Sequence, residues 1–270
     1  MDLWLPPKPA IIIPGRHIER PVGFKPDLIK RGMLPGLMPL IPTASAAAII
    51  SNSFVAAPAT ITTPDGATFT FTSANIGTAD ATRRVVVGVV WMATASSPAL
   101  TSATIGGTGT TIHVQTPSDP GAGGISGVAL FSTHFSTGTT ATIVVNLAAS
   151  CTACAIGVWR QINESVASPN TTASATAGSL TATTSINVPS NGSLYSVTTN
   201  DYLSGAFQTY TWTAGATERF DQGMDTSGGA RASATGASET GLGSQTGRTL
   251  TNVLSGGTSP ANGIVAMTWV

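Results

Sequence analysis

The sequence predicts an all-β fold, an antiparallel β-sandwich or jelly roll, preceded by an extended Pro-rich N-terminal arm. Nine of the 17 prolines fall between Pro6 and Pro42, where they rule out a long helix or a central strand. Beyond this region, short segments rich in Val, Ile and Thr alternate with Gly, Ser, Asn and Pro, a pattern typical of sandwiches and barrels. Charged residues make up only 9% of the chain and hydrophobic residues 41%, which favours strands over disorder. We therefore divide the chain into an arm, residues 1–42, and a body, residues 43–270.

The arm carries large apolar side chains between its prolines, whereas a flexible linker would be rich in Gly and Ser. Six of the 12 basic residues lie within the first 31 positions, and no lysine follows Lys30. A chain stiffened by prolines loses little entropy when it docks into a groove. We expect the arm to anchor the chain to another protein, or alternatively to pack on its own domain or oligomer. The expected contact residues are Trp4, Leu5, Ile11, Ile12, Ile13, Phe24, Leu34, Leu37 and Met38.

The body contains a series of predicted strands. The alternation at 67–72 predicts a strand with Phe69 and Phe71 on one face. The continuous apolar run at 84–92 predicts a central strand that is covered on both faces. Residues 103–114 predict two short strands joined through a Gly-Gly turn. Further strands are predicted at 126–135, 140–147, 153–162, 181–188, 193–199, 207–213, 218–224, 229–234, 249–254 and 263–270. The Gly- and Ser-rich stretch 227–247 is predicted to be a loop or a loosely patterned edge strand.

Charge and hydropathy argue against two classes of partner, nucleic acid and membranes. The formal net charge is zero, so no overall field attracts nucleic acid or an anionic membrane. No run of about 18 apolar residues is present, so no membrane-spanning helix is predicted. We expect no cofactor and no metal, because no motif for either is present.

Histidine, the commonest general base, is scarce in the chain. His113 alternates with Ile112 and Val114, so it is expected to face solvent or a polar edge. No G-x-S-x-G motif is present, and no carboxylate stands in an obvious position beside His113 or His134. We therefore expect no catalytic residue and no enzymatic activity.

The densest acidic cluster comprises Glu218, Asp221 and Asp225. Strand alternation places Asp221 and Asp225 on one face and Glu218 on the other. A carboxylate pair can cleave glycosidic bonds or bind calcium, but calcium prefers more oxygen ligands than this cluster supplies. A solvated strand end is the preferred interpretation.

Cys151 and Cys154 form a C-x-x-C pair without the second pair that a zinc site requires. The residues that follow resemble a strand and not the helix of a redox motif, and strand geometry places the two side chains on opposite faces. Two small buried residues, or a local disulfide across a bulge, are both compatible with this pattern, so the redox state stays open.

Four of the five tryptophans lie in predicted strands. Trp91 and Trp159 stand in apolar runs and are expected in the core. Tyr210 and Trp212 share a face between threonines. This pair is the candidate surface for recognition of a sugar, because exposed aromatic rings stack on glycans.

Eight segments spread along the chain carry a resemblance to known proteins. They are Trp4-Leu-Pro-Pro-Lys-Pro-Ala-Ile-Ile, Arg20-Pro, Met33-Leu-Pro-Gly-Leu-Met-Pro, Ile76-Gly-Thr-Ala, Arg83-Arg-Val-Val-Val-Gly-Val, Thr104-Ile-Gly-Gly-Thr, Ser150-Cys-Thr-Ala-Cys-Ala-Ile-Gly-Val-Trp and Trp212-Thr-Ala-Gly-Ala-Thr-Glu-Arg-Phe-Asp. In these segments the chain resembles a group of structural proteins that tailed bacteriophages and prophages of alphaproteobacteria encode. The resemblance covers most of the chain, and its motifs mark the fold and not a chemistry. No catalytic residue carries over from this group.

The resemblance and the arm together predict a structural virion protein, assembled in the host cytoplasm and docked by its arm onto other virion proteins. The body would be displayed as a head decoration, a head fibre or a tail fibre component, as a homo-oligomer by analogy with such proteins. Two alternatives stay open: a module that binds a host surface glycan, and a polysaccharide-degrading enzyme.

Overall fold

The computed structural model describes residues 50–62, 66–118, 125–202, 208–225, 231–256 and 261–270. These residues are all-β, contain no helix and form antiparallel sheets, which confirms the predicted class. None of the described segments forms a helix that is long and apolar enough to cross a membrane. The predicted contact residues of the arm lie outside the described residues.

The described residues form seventeen strands. In chain order they are β1 (Ser51–Ala56), β2 (Gly66–Asn75), β3 (Arg84–Met92), β4 (Leu100–Ile105), β5 (Thr108–Gly109), β6 (Thr111–Pro117), β7 (Ser126–His134), β8 (Thr140–Cys151), β9 (Ala153–Ile162), β10 (Thr171–Ala177), β11 (Thr181–Val188), β12 (Gly192–Tyr202), β13 (Tyr210–Ala214), β14 (Thr217–Asp225), β15 (Arg231–Leu242), β16 (Gln245–Leu254) and β17 (Ala261–Trp269).

The strands assemble into four sheets. Sheet I has the order β1-β9-β3-β7-β6, and sheet II has the order β2-β8-β4-β5. Sheet III has the order β10-β17-β12-β15-β14, and sheet IV has the order β11-β16-β13. Sheets I and II use residues 50–162, the first half of the body. Sheets III and IV use residues 171–270, the second half, and residues 163–170 form the linker between them. This division into two halves was not predicted from the sequence.

The four sheets stack in the order II, I, III, IV. Strand β3 shows why, since Val87 and Val89 pack against sheet II while Val86 and Val90 pack against sheet III. A third core cluster, which includes Leu194, lies between sheets III and IV. Sheet I is therefore covered on both faces, and β3 lies at its centre with every residue buried, as its apolar run predicts.

The prediction for residues 227–247 is corrected over Arg231–Leu242, which form β15, whereas residues 227–230 lie outside the described residues. Strand β15 lies between β12 and β14 inside sheet III, so it is neither a loop nor an edge, and most of its residues are buried. Its small side chains are needed there, because a Cβ on Gly236 would lie 2.2 Å from the Phe220 ring and 2.9 Å from the Trp159 ring. The rings of Phe220 on the neighbouring strand β14 and of Trp159 on β9 of sheet I fill the space that a larger residue at Gly236 would occupy.

Candidate functional site

A cluster of polar side chains lies where the linker crosses the first half of the body. Arg84 of β3 and Glu164 of the linker are both buried, and Arg84 Nε donates to Glu164 Oε1 at 3.0 Å. His134 Nε2, at the end of β7, lies 2.9 Å from the same oxygen. Arg84 Nη2 also donates to the carbonyl oxygen of Ala167 at 3.0 Å. These bonds tie the linker to two strands of sheet I.

The cluster continues inward from Arg84. Its Nη1 donates to Ser132 Oγ at 3.1 Å, and His113 Nε2 lies 2.8 Å from the same hydroxyl. The Arg84 guanidinium lies over the Trp269 ring at 5.3 Å, and the His113 ring meets Trp269 edge-on at 5.1 Å. Burial first, and the Arg84 charge second, lower the pKa of His113 to about 4. His113 is thus half-buried within this polar cluster on β6, the edge strand of sheet I, so of the two predicted settings it occupies a polar edge and not open solvent.

The same cluster reaches the second half of the body through Gln161. Gln161 Nε2 donates to Glu164 Oε2 at 3.4 Å, and the Tyr195 hydroxyl of β12 donates to Gln161 Oε1 at 2.6 Å. Tyr195 and Gln161 are fully buried. Both oxygens of Glu164 therefore have partners, and the linker carboxylate is joined to both halves.

A surface depression of about 350 Å³ opens beside this cluster, lined by residues that include Thr82, His134, Glu164 and Ser165. The Ser132 hydroxyl is buried and bonded to Arg84 and His113, so a substrate in the depression does not reach it as a nucleophile. Glu164, His134 and Arg84 contact one another, and Arg84 also bonds to the linker backbone. The arrangement suits a structural fastening better than a reaction centre.

Two acidic residues of β14 accept hydrogen bonds from the backbone of β13. Asp221 Oδ2 accepts a hydrogen bond from the backbone N–H of Tyr210 in β13 at 2.9 Å, and Glu218 accepts one from the backbone N–H of Trp212. A β-bulge between Glu218 and Phe220 interrupts the alternation. Glu218 therefore lies near Asp221 instead of facing away, which corrects the prediction. Partial burial raises the pKa of both carboxyls, and for Glu218 the Asp221 charge adds to this effect. The side chain of Asp225 lies outside the described residues.

The proposed recognition pair of Tyr210 and Trp212 does not form an exposed platform. Tyr210 is only 4% exposed, and its hydroxyl donates to the carbonyl oxygen of Ser233 at 3.1 Å. Trp212 is half-buried against the core between sheets III and IV, and its Nε1 donates to Thr235 Oγ1 at 3.1 Å. Both rings face inward because β13 covers the edge of that core, so the prediction of a stacking surface is wrong.

Cys151 and Cys154 are free thiols that are both fully buried in the core between sheets I and II. The prediction that they point to opposite faces is wrong, because the chain turns at Thr152 between β8 and β9 and is not one continuous strand. Burial raises the pKa of Cys151 to about 12 and that of Cys154 well above its usual value. Such thiols are poor nucleophiles. Trp91 and Trp159 are buried in the core as predicted.

Asp201 is a buried carboxylate that the sequence analysis did not single out. Its Oδ2 accepts hydrogen bonds from Ser118 Oγ at 2.6 Å, Ile125 N at 2.6 Å and Ser126 N at 3.0 Å. Burial raises its pKa. Asp201 belongs to β12, so it fastens the ends of β6 and β7 in the first half to the second half. Its donors lie about eighty residues away in the sequence, so no local motif predicts these hydrogen bonds.

The described residues do not bring three or more His, Cys, Asp or Glu side chains together as a metal ion would require. In comparisons with other proteins, no family model, no curated protein and no solved structure matches the chain.

Proposed function

We propose that the chain is a structural protein of a tailed-phage virion, docked onto the particle by residues 1–42 and displaying its body at the surface. The observation that carries this proposal is the change of composition near residue 43. More than half of the prolines and every lysine lie on the arm side, among large apolar residues such as Trp4 and Phe24. Such a strip fits a groove on another protein, and copies of the body would then decorate the particle.

The construction of the body supports a display role. Several of its described ionisable groups make internal contacts, as in the Arg84–Glu164 pair and the hydrogen bonds to Asp201. Rows of threonine cover the outer faces instead, with Thr68, Thr70 and Thr72 exposed on sheet II. A body with hydroxyl-rich, charge-poor outer faces and polar groups locked inside suits a rigid module that is present in many copies.

We also propose that each half of the body is a β-sandwich of the jelly-roll type. In each half, two sheets pack face to face across a hydrophobic core, as in a β-sandwich. Sheet I contains the order β1-β9-β3-β7 and sheet II the order β2-β8-β4, which is the double Greek-key order of a jelly roll. In this jelly-roll variant, β6 joins sheet I in the first half and β14 joins sheet III in the second half. A homo-oligomeric assembly also stays part of the proposal.

Display is favoured over recognition of a host glycan. The aromatic pair that suggested glycan binding is turned into the protein, with Tyr210 buried and Trp212 bonded to Thr235. A glycan array on the purified body separates the two functions, since binding to any sugar would restore the receptor-binding alternative.

Deletion of residues 1–42 tests the docking step. We expect the truncated chain to keep the thermal unfolding midpoint of the full chain, because the body holds its own core, and to be missing from purified particles. Replacement of Ile11, Ile12 and Ile13 by serine in the full chain should reduce incorporation in the same direction. Replacement of Thr68 and Thr70 by serine, on the outer face of the body, is the matched control and should leave the copy number unchanged. Incorporation of the truncated chain at the normal copy number would refute docking by the arm.

A further inference from the structure

We infer that the two halves of the body are copies of one eight-stranded unit, repeated in tandem and paired through sheets I and III as a pseudo-symmetric dimer. Each half has eight strands if the two-residue strand β5 is set aside. Numbered from 1 within each half, the strands of sheets I and III both follow the order 1-8-3-6-5. The strands of sheets II and IV both follow the order 2-7-4.

The register of the strands agrees as well as their order. Strands β3 and β9 pair from Arg84 opposite Gln161 to Met92 opposite Ala153. Strands β12 and β17 pair from Ser193 opposite Trp269 to Asp201 opposite Ala261. A shift of 109 residues in the first strand and 108 in the second carries every pair of one ladder onto a pair of the other. Since a slip of one residue would turn every side chain to the opposite face, this agreement is a strong constraint.

The two halves also share an irregularity. The pairing of β6 with β7 shifts between Ile112 and Val114. The pairing of β14 with β15 shifts between Glu218 and Phe220, which lie 106 residues further along the chain. A β-bulge inserts one extra residue and bends its strand, so two bulges at equivalent places indicate a common template.

A side-chain fastening recurs at the position that the bulge predicts. Gln115 of β6 accepts a hydrogen bond from the backbone N–H of Leu100 at 2.9 Å. Asp221 of β14, again 106 residues further along, accepts one from the backbone N–H of Tyr210 at 2.9 Å. Leu100 and Tyr210 stand at equivalent places, since each pairs with a leucine of the middle strand of its own sheet. In each half, the same type of hydrogen bond, from a backbone N–H to a side-chain oxygen, thus links the edge strand of the inner sheet to a strand of the outer sheet.

Contacts between the halves are reciprocal, as in an isologous dimer. Strand β7 contacts β12 and its equivalent β15 contacts β3, while β6 contacts β17 and its equivalent β14 contacts β9. The segments that lead into the halves follow the same rule. Glu164 of the linker contacts His134 of the first half. The carbonyl oxygen of Ile50, which precedes β1, accepts a hydrogen bond from Thr240 of the second half, the equivalent of His134. The partner of each inner sheet is therefore a second copy of its own unit.

The side chains of the halves have diverged, which hides the repeat from a reading of the sequence. The buried residues Val89, Trp91 and Cys154 of the first half correspond to Thr198, Asn200 and Asn262 of the second. An apolar core has thus been replaced by a polar one at these places. Backbone pairing and register record the repeat more faithfully than residue identity does.

Cleavage of the full chain within the linker tests the pairing. A protease site inserted between Ser168 and Pro169 allows the intact folded protein to be cut, and the cut chain is then compared with the uncut chain by size-exclusion chromatography at low micromolar concentration. We expect the two pieces to elute together at the position of the uncut chain. Elution as separate pieces would overturn the inference whatever happens in the variants.

Variants of the cut chain locate the surface that holds the pieces together. A Cβ on Gly88 would lie 2.2 Å from Val197 of the other half, whereas nothing lies within 4 Å of a Cβ on Gly109. Gly88→Leu should therefore separate the pieces, and Gly109→Leu should leave them together. Retention of the pair in the cut Gly88→Leu chain would contradict pairing through sheets I and III.

Exchange at the repeated fastening tests the equivalence of the halves. Asp221→Gln introduces the residue that performs this role in the first half, and we expect a thermal midpoint within about 2 °C of the wild type. Asp221→Leu removes the acceptor and should lower the midpoint by several degrees. A loss of the same size in both variants would contradict the equivalence of Gln115 and Asp221.

Discussion

At the scale of single residues, the interface between sheets I and III depends on glycines that admit neighbouring side chains. Gly88 lies opposite Gly157 in sheet I, and a Cβ at either position would meet a side chain of sheet III at 2.2 Å or 2.1 Å. The residue met at Gly157 is the Phe220 ring, which also packs on Gly236. Because the protein interior is close-packed, a single added methyl group at these positions should lower the stability of the folded state.

Gly88→Ala is therefore expected to lower the free energy of unfolding by about 1–3 kcal/mol, the range for an overfilled core. Gly109→Ala is the control, since a Cβ there has open space within 4 Å. Denaturant unfolding of both variants measures the difference. Equal effects at the two sites would show that the spacing of sheets I and III is not as tight as described.

His113 makes stability depend on pH. Its pKa falls from the ordinary 6.5 to about 4 in the folded protein, so between these values the unfolded chain binds the proton and the folded chain does not. Its contribution to stability is complete above pH 6.5 and is lost as the pH falls towards 4. The raised pKa values of Asp201, Glu218 and Asp221 act in the opposite direction, so a variant is needed to isolate the histidine.

His113→Gln should lose less stability than the wild type when the pH falls from 6.5 to 4. Urea unfolding at a series of pH values measures this difference. An NMR titration of the His113 ring with a midpoint near 6.5 would show that burial does not exclude the proton.

At the scale of elements, the linker is held by an ion pair with little access to water. The side chains of Arg84 and Glu164 are 5% and 4% exposed. Removal of one partner leaves the other charge buried without compensation, which costs about 3–5 kcal/mol in comparable pairs. The surface pair of Arg160 and Asp80, at 3.5 Å, is expected to be worth less than about 1 kcal/mol.

Glu164→Gln should therefore destabilise the protein several times more than Arg160→Gln, as measured by the free energy of unfolding. The double variant Arg84→Met with Glu164→Leu should recover part of the loss, because no charge then stays buried. A Glu164→Gln variant as stable as the surface control would contradict the role of this pair in fastening the linker.

The strands with strong local patterns could be predicted from the sequence, and those without such patterns could not. The alternation in β2 and the apolar run in β3 are properties of neighbouring residues, so they predicted both strands and the central place of β3. Strand β15 has small residues that are explained only by the rings of Phe220 and Trp159 packed above it. Likewise, Arg84 and Glu164 lie eighty residues apart, and a pairing over that distance leaves no local trace.

At the scale of the whole molecule, the body is a four-layer stack in which two similar halves are locked by reciprocal contacts and by buried polar bonds. Asp201 and Tyr195 of the second half bond to residues of the first half, so the halves should unfold together. The outer sheets II and IV lie at the two ends of the stack, and both expose threonine, as at Thr70 and Thr183. Under the proposed function, such a body would offer a rigid module to the particle, and the arm would supply the attachment.

The most direct test of display on a virion is a cryo-electron microscopy map of purified particles of a phage whose genome encodes this chain. The account predicts density on the outside of the particle that fits the four-layer body, with residues 1–42 running into a groove of a neighbouring virion protein. Absence of the chain from purified particles, or density in which the body is enclosed and the arm is free, would contradict it.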